Sequence, residues 1–333
     1  MNDRQPLVWV CSEVCDMSPS DAPVTARIAF FGTPEVAVGS LEALVAADDL
    51  EVVLVVTNPD RPKGRSGTPV PSPVKARATA LGIDVLQPER PIEIAQELRE
   101  RELDAVAIVA YGAILPMAVL DAGGRGFVNL HFSLLPRWRG AAPVQAAVRA
   151  GDPETGVTCF VLDEGMDTGP VLRTAVTPLG PQETSGDLFA RLTRLGAPTL
   201  LDAVRALVAG EVPKAQDPTG GTVAGKIRPE DVALDLTGTA QDLTRLIHSA
   251  NPAPGAHTTF RGRRFKIWRA RAIASTGEHL PGQFEPRHAD GAVVTTGEGA
   301  MVLLEVQPEG KSRMTGDAFA NGYQPTADDR LGA

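Results

Sequence analysis

Asn129 and His131 stand two residues apart in FVNLH, and Asp163, Glu164 and Asp167 follow in LDEGMDTG. On a strand, residues two apart project from one face, so an amide and an imidazole would share one side. That pair suits acyl transfer. The amide can donate to a developing oxyanion and the imidazole can carry a proton. A carboxylate brought beside the ring would favour imidazolium and could order a water for proton relay. Each residue also has a plain structural use: Asn forms turns, a strand-end His can be a satisfied core residue, and Asp caps turns. Spacing alone leaves both readings open.

The neighbouring sequence supplies the elements that would position these groups. Phe127, Val128, Leu130 and Phe132 are strand formers, and Gly123, Gly124 and Gly126 punctuate their start. The carboxyl end of such a strand in an open α/β sheet faces the crevice where ligands bind. Pro136 ends the strand. Gly140 to Pro143 opens a helix, with Pro143 in the first turn and Gly151 as the stop. That helix entry favours negative charge nearby. Upstream, RIAFFG from Arg27 and EVVLVVT at 51 to 57 read as buried strands joined through a helix. This alternation implies a mostly parallel sheet with right-handed crossovers. Gly32-Thr33-Pro34 is not a G-x-G-x-x-G fingerprint, so a dinucleotide site is not supported.

A short strand at 81 to 89, an amphipathic helix at 92 to 102 and a buried strand at 103 to 116 continue the alternation. Residues 155 to 176 read as two strands around a glycine-rich loop. Residues 185 to 210 carry helical patterns interrupted by Gly196 and Pro198 and should close the first domain. The Pro/Gly-rich stretch 212 to 229 fits a linker. Beyond it, short strands with glycine turns suggest a small barrel.

The 333 residues favour two domains. Hydrophobic residues make up 43%, enough for real cores, and the net charge of −9 argues against general coating of nucleic acid. No apolar run approaches the ~20 residues of a membrane span. The three cysteines form neither a disulfide framework nor, with the five histidines, a metal-binding pattern. Residues 1 to 26 lack periodicity, and LVWV is too short for a signal-peptide core. They are expected to be a disordered extension or the result of an early start, with Met17 a later candidate.

Two basic segments stand out. NPDRPKGRSGTPVPSPVKARA, 58 to 78, is a long loop carrying Arg61, Lys63 and Arg65, suited either to phosphate contact or to plain solvation. FRGRRFKIWRARA, 260 to 272, has six Lys/Arg between 261 and 271. Residues 231 to 325 are neutral while residues 1 to 230 carry −8, which supports an RNA-facing patch. Parity cuts against this: on an ideal strand Arg264 and Lys266 point opposite to Arg263, Arg269 and Arg271.

NLHFSLLPRWRGAAPVQ with DEGMDTG at 163 to 169 resembles the 10-formyltetrahydrofolate-dependent formyltransferases, and within them the methionyl-tRNA branch. The resemblance runs from about Arg27 to about Tyr323. Relatives that formylate sugar nucleotides or glycinamide ribonucleotide share N-x-H but not RWRGAAP. The resemblance implies a Rossmann-like α/β catalytic domain at 27 to 211. It also implies an OB-like β-barrel at 230 to 325 that holds tRNA, followed by a tail at 326 to 333. It implies formyl transfer from 10-formyltetrahydrofolate to initiator methionyl-tRNA, without metal, by a cytoplasmic monomer. Asn129, His131 and Asp167 would be catalytic. Ser133, Leu134, Leu135 and Pro136 would border the folate, and Ala110 to Pro116 would lie beside its pterin. Arg61, Lys63 and Arg65 would guide the acceptor end, although Gly67 and Thr68 stand where some relatives carry lysines. Two alternatives are a formyltransferase acting on amino sugar nucleotides and a non-catalytic RNA-binding protein.

Overall fold

The computed structural model describes residues 25–62, 67, 69–275, 280–288 and 291–333. Of the extension expected at 1 to 26, residues 1 to 24 lie outside the described residues, as do Lys63 and Arg65, while Ala26 already belongs to the first strand. The first half is a seven-stranded sheet built from β1 (Ala26–Gly32), β2 (Leu50–Val56), β3 (Val85–Leu86), β4 (Ala105–Val109), β5 (Phe127–His131), β6 (Glu154–Val161) and β7 (Val171–Pro178). The spatial order is β7-β6-β5-β4-β1-β2-β3, parallel from β5 to β3 and antiparallel at β6 and β7. The strand order reverses at β1, so the crevice for ligands opens beyond the carboxyl ends of β1 and β4.

The continuous apolar runs follow from covering both faces of this sheet. Ile28, Phe30, Val128 and Leu130 join the core beneath α1 (Val38–Val45), α2 (Pro73–Ala80) and a long C-terminal helix of the domain. Ala29, Phe31, Ile108 and Phe127 pack on the opposite face with α3 (Ala95–Glu100) and α4 (Met117–Leu120). After β5 comes α5 (Pro143–Ala150), with Pro143 in its first turn and left-handed Gly151 as its cap, as the residues imply. The long helix is α6 (Ser185–Val208), capped reciprocally by Thr184 and Asp187.

Contrary to the sequence expectation, α6 runs unbroken for 24 residues through Gly196 and Pro198. Pro198 sits on the exposed face, so the Arg194 carbonyl it leaves unpaired can be hydrated. Gly196 is a packing glycine. A Cβ there would stand 2.7 Å from Cδ2 of buried Leu130 in β5.

The second half holds α7 (Ala240–Ser249), then β8 (Ala256–Phe260), β9 (Arg263–Ile273), β10 (Phe284–His288), β11 (Gly291–Thr295), β12 (Ala300–Pro308) and α8 (Gly316–Tyr323). Arg261 and Gly262, both at positive φ, make the two-residue turn between β8 and β9. The curled antiparallel sheet runs β8-β9-β12-β11-β10 around Phe260, Phe265, Phe284 and Phe319. Residues set apart above as a tail help to close it. Leu331 is buried and bridges Phe260, while Arg330 bridges Gln283 beside β10. Asp329 anchors this seam through a two-pronged pair with Arg261 at 2.7 and 2.8 Å.

Two outcomes follow. Gly196→Val should destabilise the protein by about 1–3 kcal/mol through overpacking against Leu130, read from urea unfolding. Asp329 has its pKa pulled down to about 2, chiefly by hydrogen bonding to Arg261. Its native value is depressed, so its contribution is complete above the ordinary carboxylate range and is lost as pH falls toward about 2. Asp329→Asn should therefore lose less stability across that acid window than the parent, measured by urea unfolding at stepped pH.

Candidate active site

Strand β5 brings Asn129 and His131 to its carboxyl end on one face. His131 is buried, with Phe160 edge-on at 6.4 Å between centroids. Its Nε2 lies 2.9 Å from the Trp138 carbonyl oxygen. A carbonyl only accepts, so this contact assigns the proton to Nε2. Nδ1 faces the Asp167 carboxylate, 3.6 Å from Oδ2. Burial pushes the His131 pKa down, and the Asp167 charge and the Trp138 carbonyl oppose that to a smaller degree. The resting ring is therefore neutral near pH 7, in contrast to a ring held protonated by a nearby carboxylate. Among the described residues nothing bonds the Asn129 side-chain amide, which leaves its N–H groups for a ligand.

Asp167 sits at the tip of the loop between β6 and β7 with a left-handed backbone, φ 55°. Its Oδ2 also accepts the Gly140 N–H at 2.7 Å. Asp163 shapes the loop from within, accepting from Gly165 N and the Thr168 hydroxyl. Gly169 presses so close to β6 that a Cβ would meet the Val161 carbonyl oxygen at 1.8 Å.

Trp138, which the sequence analysis left without a role, holds the other side of the imidazole. Its own left-handed backbone, φ 62°, presents the carbonyl to His131. The indole N–H donates to Asp152 at 2.7 Å, and Arg137 grips the same carboxylate while stacking on the indole. The stretch read as a linker forms the back wall. Thr222 accepts from Trp138 N through its hydroxyl and from Arg139 N through its carbonyl. Ala224 accepts from Ala141 N and Ala142 N. The Pro/Gly-rich composition of that segment gave no sequence signal for these roles.

Comparison with known proteins gives this geometry a lineage. Residues 26–204 match the formyl transferase family, and residues 226–324 match the formyl transferase C-terminal domain. The chain belongs to the formyl transferase family. It is 46% identical over 301 residues to the methionyl-tRNA formyltransferase of Symbiobacterium thermophilum, covering 89% of this chain and 92% of that one. The match to the Streptomyces coelicolor methionyl-tRNA formyltransferase is 44% over 309 residues, covering 92% and 99%. Two of the solved structures that share the fold illustrate it. One is WlaRD, a sugar 3N-formyl transferase, with TM-score 0.62, 17% identity and coverage of 86% and 99%. The other is HypX from Aquifex aeolicus in complex with tetrahydrofolic acid, with TM-score 0.59, 16% identity and coverage of 90% and 47%.

In this formyl transferase, the cleft at the switch point has a volume of about 960 Å³ and is lined by Thr33, Asn58, Arg61, Ser72, Gly112 and Ala113, among others. Asn58 ties the crevice together by donating to the Tyr111 carbonyl and to Thr33 Oγ1. Ser133 to Pro136 do not line that cleft. Ser133 is fully buried and spends its hydroxyl on the Arg137 carbonyl, which closes the turn. Leu134 lines a smaller cavity with Trp138 and Asp152, while Leu135 N is bonded to Thr158 Oγ1. Arg61 is exposed at the cleft.

The parity problem on β9 is resolved by a bulge. The pairing with β12 shifts register around Arg269, so Phe265 and Ile267 face the core before it and Ala270 and Ala272 after it. Arg264 and Lys266 thereby share the outer face with Arg269 and Arg271. Arg313 stacks on Trp268 at 3.6 Å beside them. Arg269 is committed to Asp187 of α6 at 2.6 Å and docks the two halves together.

Asp167→Asn removes the charge that opposes desolvation of the ring. It should move the His131 titration to lower pH than in the parent, followed by NMR of the imidazole protons.

Proposed function

We propose that the chain transfers the formyl group of 10-formyltetrahydrofolate to the free α-amine of initiator methionyl-tRNA. The observation that carries this is the meeting of Asn129, His131 and Asp167 at one strand end. They meet in a chain that matches methionyl-tRNA formyltransferases across both its halves. The catalytic unit spans 27 to 211, and the unit that begins at 230 and is closed by the 326 to 333 segment binds tRNA after the connecting stretch 212 to 229.

The neutral amine attacks the formyl carbon, and the bond from that carbon to N10 breaks. Asn129 donates its amide N–H to the oxyanion of the tetrahedral intermediate. His131 enters neutral, takes the proton lost by the amine on Nδ1 and returns it to the departing N10, so protons balance. Asp167 and the Trp138 carbonyl stabilise the transient imidazolium. An α-amine with a pKa of roughly 7.7–8.0 has a usable neutral fraction near pH 7.

The donor occupies the crevice beyond β1 and β4, with its pterin beside Ala110 to Pro116. Arg61, Lys63 and Arg65 guide the acceptor end by phosphate contact, and the outer face of β9 holds the tRNA body. The protein works as a cytoplasmic monomer. No helix among the described residues is long and apolar enough to cross a membrane.

The deciding assay offers 10-formyltetrahydrofolate with initiator methionyl-tRNA, elongator methionyl-tRNA or an amino sugar nucleotide. Product with the initiator alone is expected. Product with the sugar alone would overturn the acceptor. Asn129→Ala, His131→Ala and Asp167→Ala should each lower turnover by about 10²- to 10⁴-fold, and near-normal turnover in all three would remove the constellation.

A further inference from the structure

The stretch between the halves carries one side chain aimed at the catalytic loop. Lys214 pairs with Val171 in both directions, N–H to carbonyl, at 2.7 and 2.8 Å. This registers the strap on β7, and Gln216, two residues on, reaches over the β6–β7 loop. Its Nε2 donates to the Asp167 carbonyl at 2.9 Å and to the Gly169 carbonyl at 2.8 Å. Its Oε1 accepts from Arg139 Nη2 at 2.7 Å and Nε at 3.2 Å. Arginine has only donors, so the oxygen must face Arg139 and the nitrogen must face the two carbonyls. The orientation of the amide is thus fixed by its partners.

Asp167 needs such a clamp. A non-glycine residue in the left-handed region persists only when its surroundings over-determine it. Gly169 seats the loop against β6 from below, and Gln216 holds it from above through both carbonyls flanking Thr168. The carboxylate so placed is 3.6 Å from His131 Nδ1 and 2.7 Å from Gly140 N. A small shift of the loop moves the charge away from the ring.

We propose that Gln216 is a positioning residue for formyl transfer, holding the Asp167 backbone so that its carboxylate faces His131. The inference rests on the formyl-transfer reading above. It adds that the connecting strap is part of the catalytic machinery. Gln216 touches no reacting atom and acts through Asp167, and the Arg139 fork only orients its amide. The groups facing the His131 ring are the Asp167 carboxylate and the Trp138 carbonyl, with Phe160 edge-on.

The test uses the full chain with initiator methionyl-tRNA. Gln216→Leu keeps size and removes both halves of the clamp. Gln216→Glu keeps the acceptor for Arg139 and deletes the donors to Asp167 and Gly169. Both should lower kcat by about 10- to 100-fold, the scale of a small misplacement of a catalytic group, with KM for either substrate little changed. In Gln216→Leu the His131 titration, followed by NMR, should move to lower pH as the carboxylate drifts off. Parental kcat in Gln216→Glu would overturn the proposal. So would a fall in kcat with the His131 titration unmoved, because that marks a merely structural residue. If Gln216→Leu does not fold, Gln216→Glu decides by its kcat against KM. Failure of the parent enzyme itself to formylate would strike the underlying reading, and the His131 titration would still report whether Gln216 holds Asp167.

Discussion

Five consecutive amides, from Trp138 to Ala142, must find acceptors outside their own loop while the Trp138 carbonyl stays turned toward His131. The solution uses Thr222 twice, Asp167 once and Ala224 twice. A backbone donor shut off from water without a partner costs about as much as a lost hydrogen bond, and with Ala142 buried and Trp138 to Gly140 half-buried this network shapes the architecture around the site. It fixes where the β6–β7 loop must come, because Asp167 satisfies Gly140. It also fixes where the strap must run, because Thr222 and Ala224 satisfy the other four.

The same requirement sets the electrostatics. An imidazole buried at a strand end resists charging, and two groups push the other way. One is the carboxylate that the Gly140 amide holds in place, and the other is a carbonyl that the left-handed Trp138 aims at Nε2. The ring rests neutral with one defined tautomer and a counter-charge within reach. A proton arriving on Nδ1 would meet Asp167. A fully solvated histidine would titrate in its ordinary range, without the orientation or the dry surroundings.

Much of this was legible where chemistry and local period coincide. Strand alternation put Asn129 and His131 on one face but left their use open, and only the family resemblance singled out Asp167 from Asp163 and Glu164 in the same glycine-rich turn. The parallel half of the sheet followed from apolar runs separated by helical spacing. What escaped depended on partners distant in sequence. Gly196 read as a break because nothing local announces that Leu130, far upstream, fills the space where its side chain would be. The cations of β9 could not be assigned to one face, because a bulge reset the alternation and no period encodes a bulge. The seam residues Asp329 and Leu331 looked like a tail because their partners, Arg261 in the β8–β9 turn and Phe260 on β8, lie far upstream in sequence. Thr222 and Gln216 lay in a stretch whose composition matches any linker.

The strap also bears on what counts as a module here. Cut after residue 211, the first half retains its sheet, its helices and every reacting group. It loses the acceptors for four of the five amides behind His131. Duplicating or recombining the two halves as separate cassettes would therefore cut through a hydrogen-bond network and not through a tether. The length of the strap is set by geometry as well, because an added or lost residue before Thr222 would part it and Ala224 from the amides they accept.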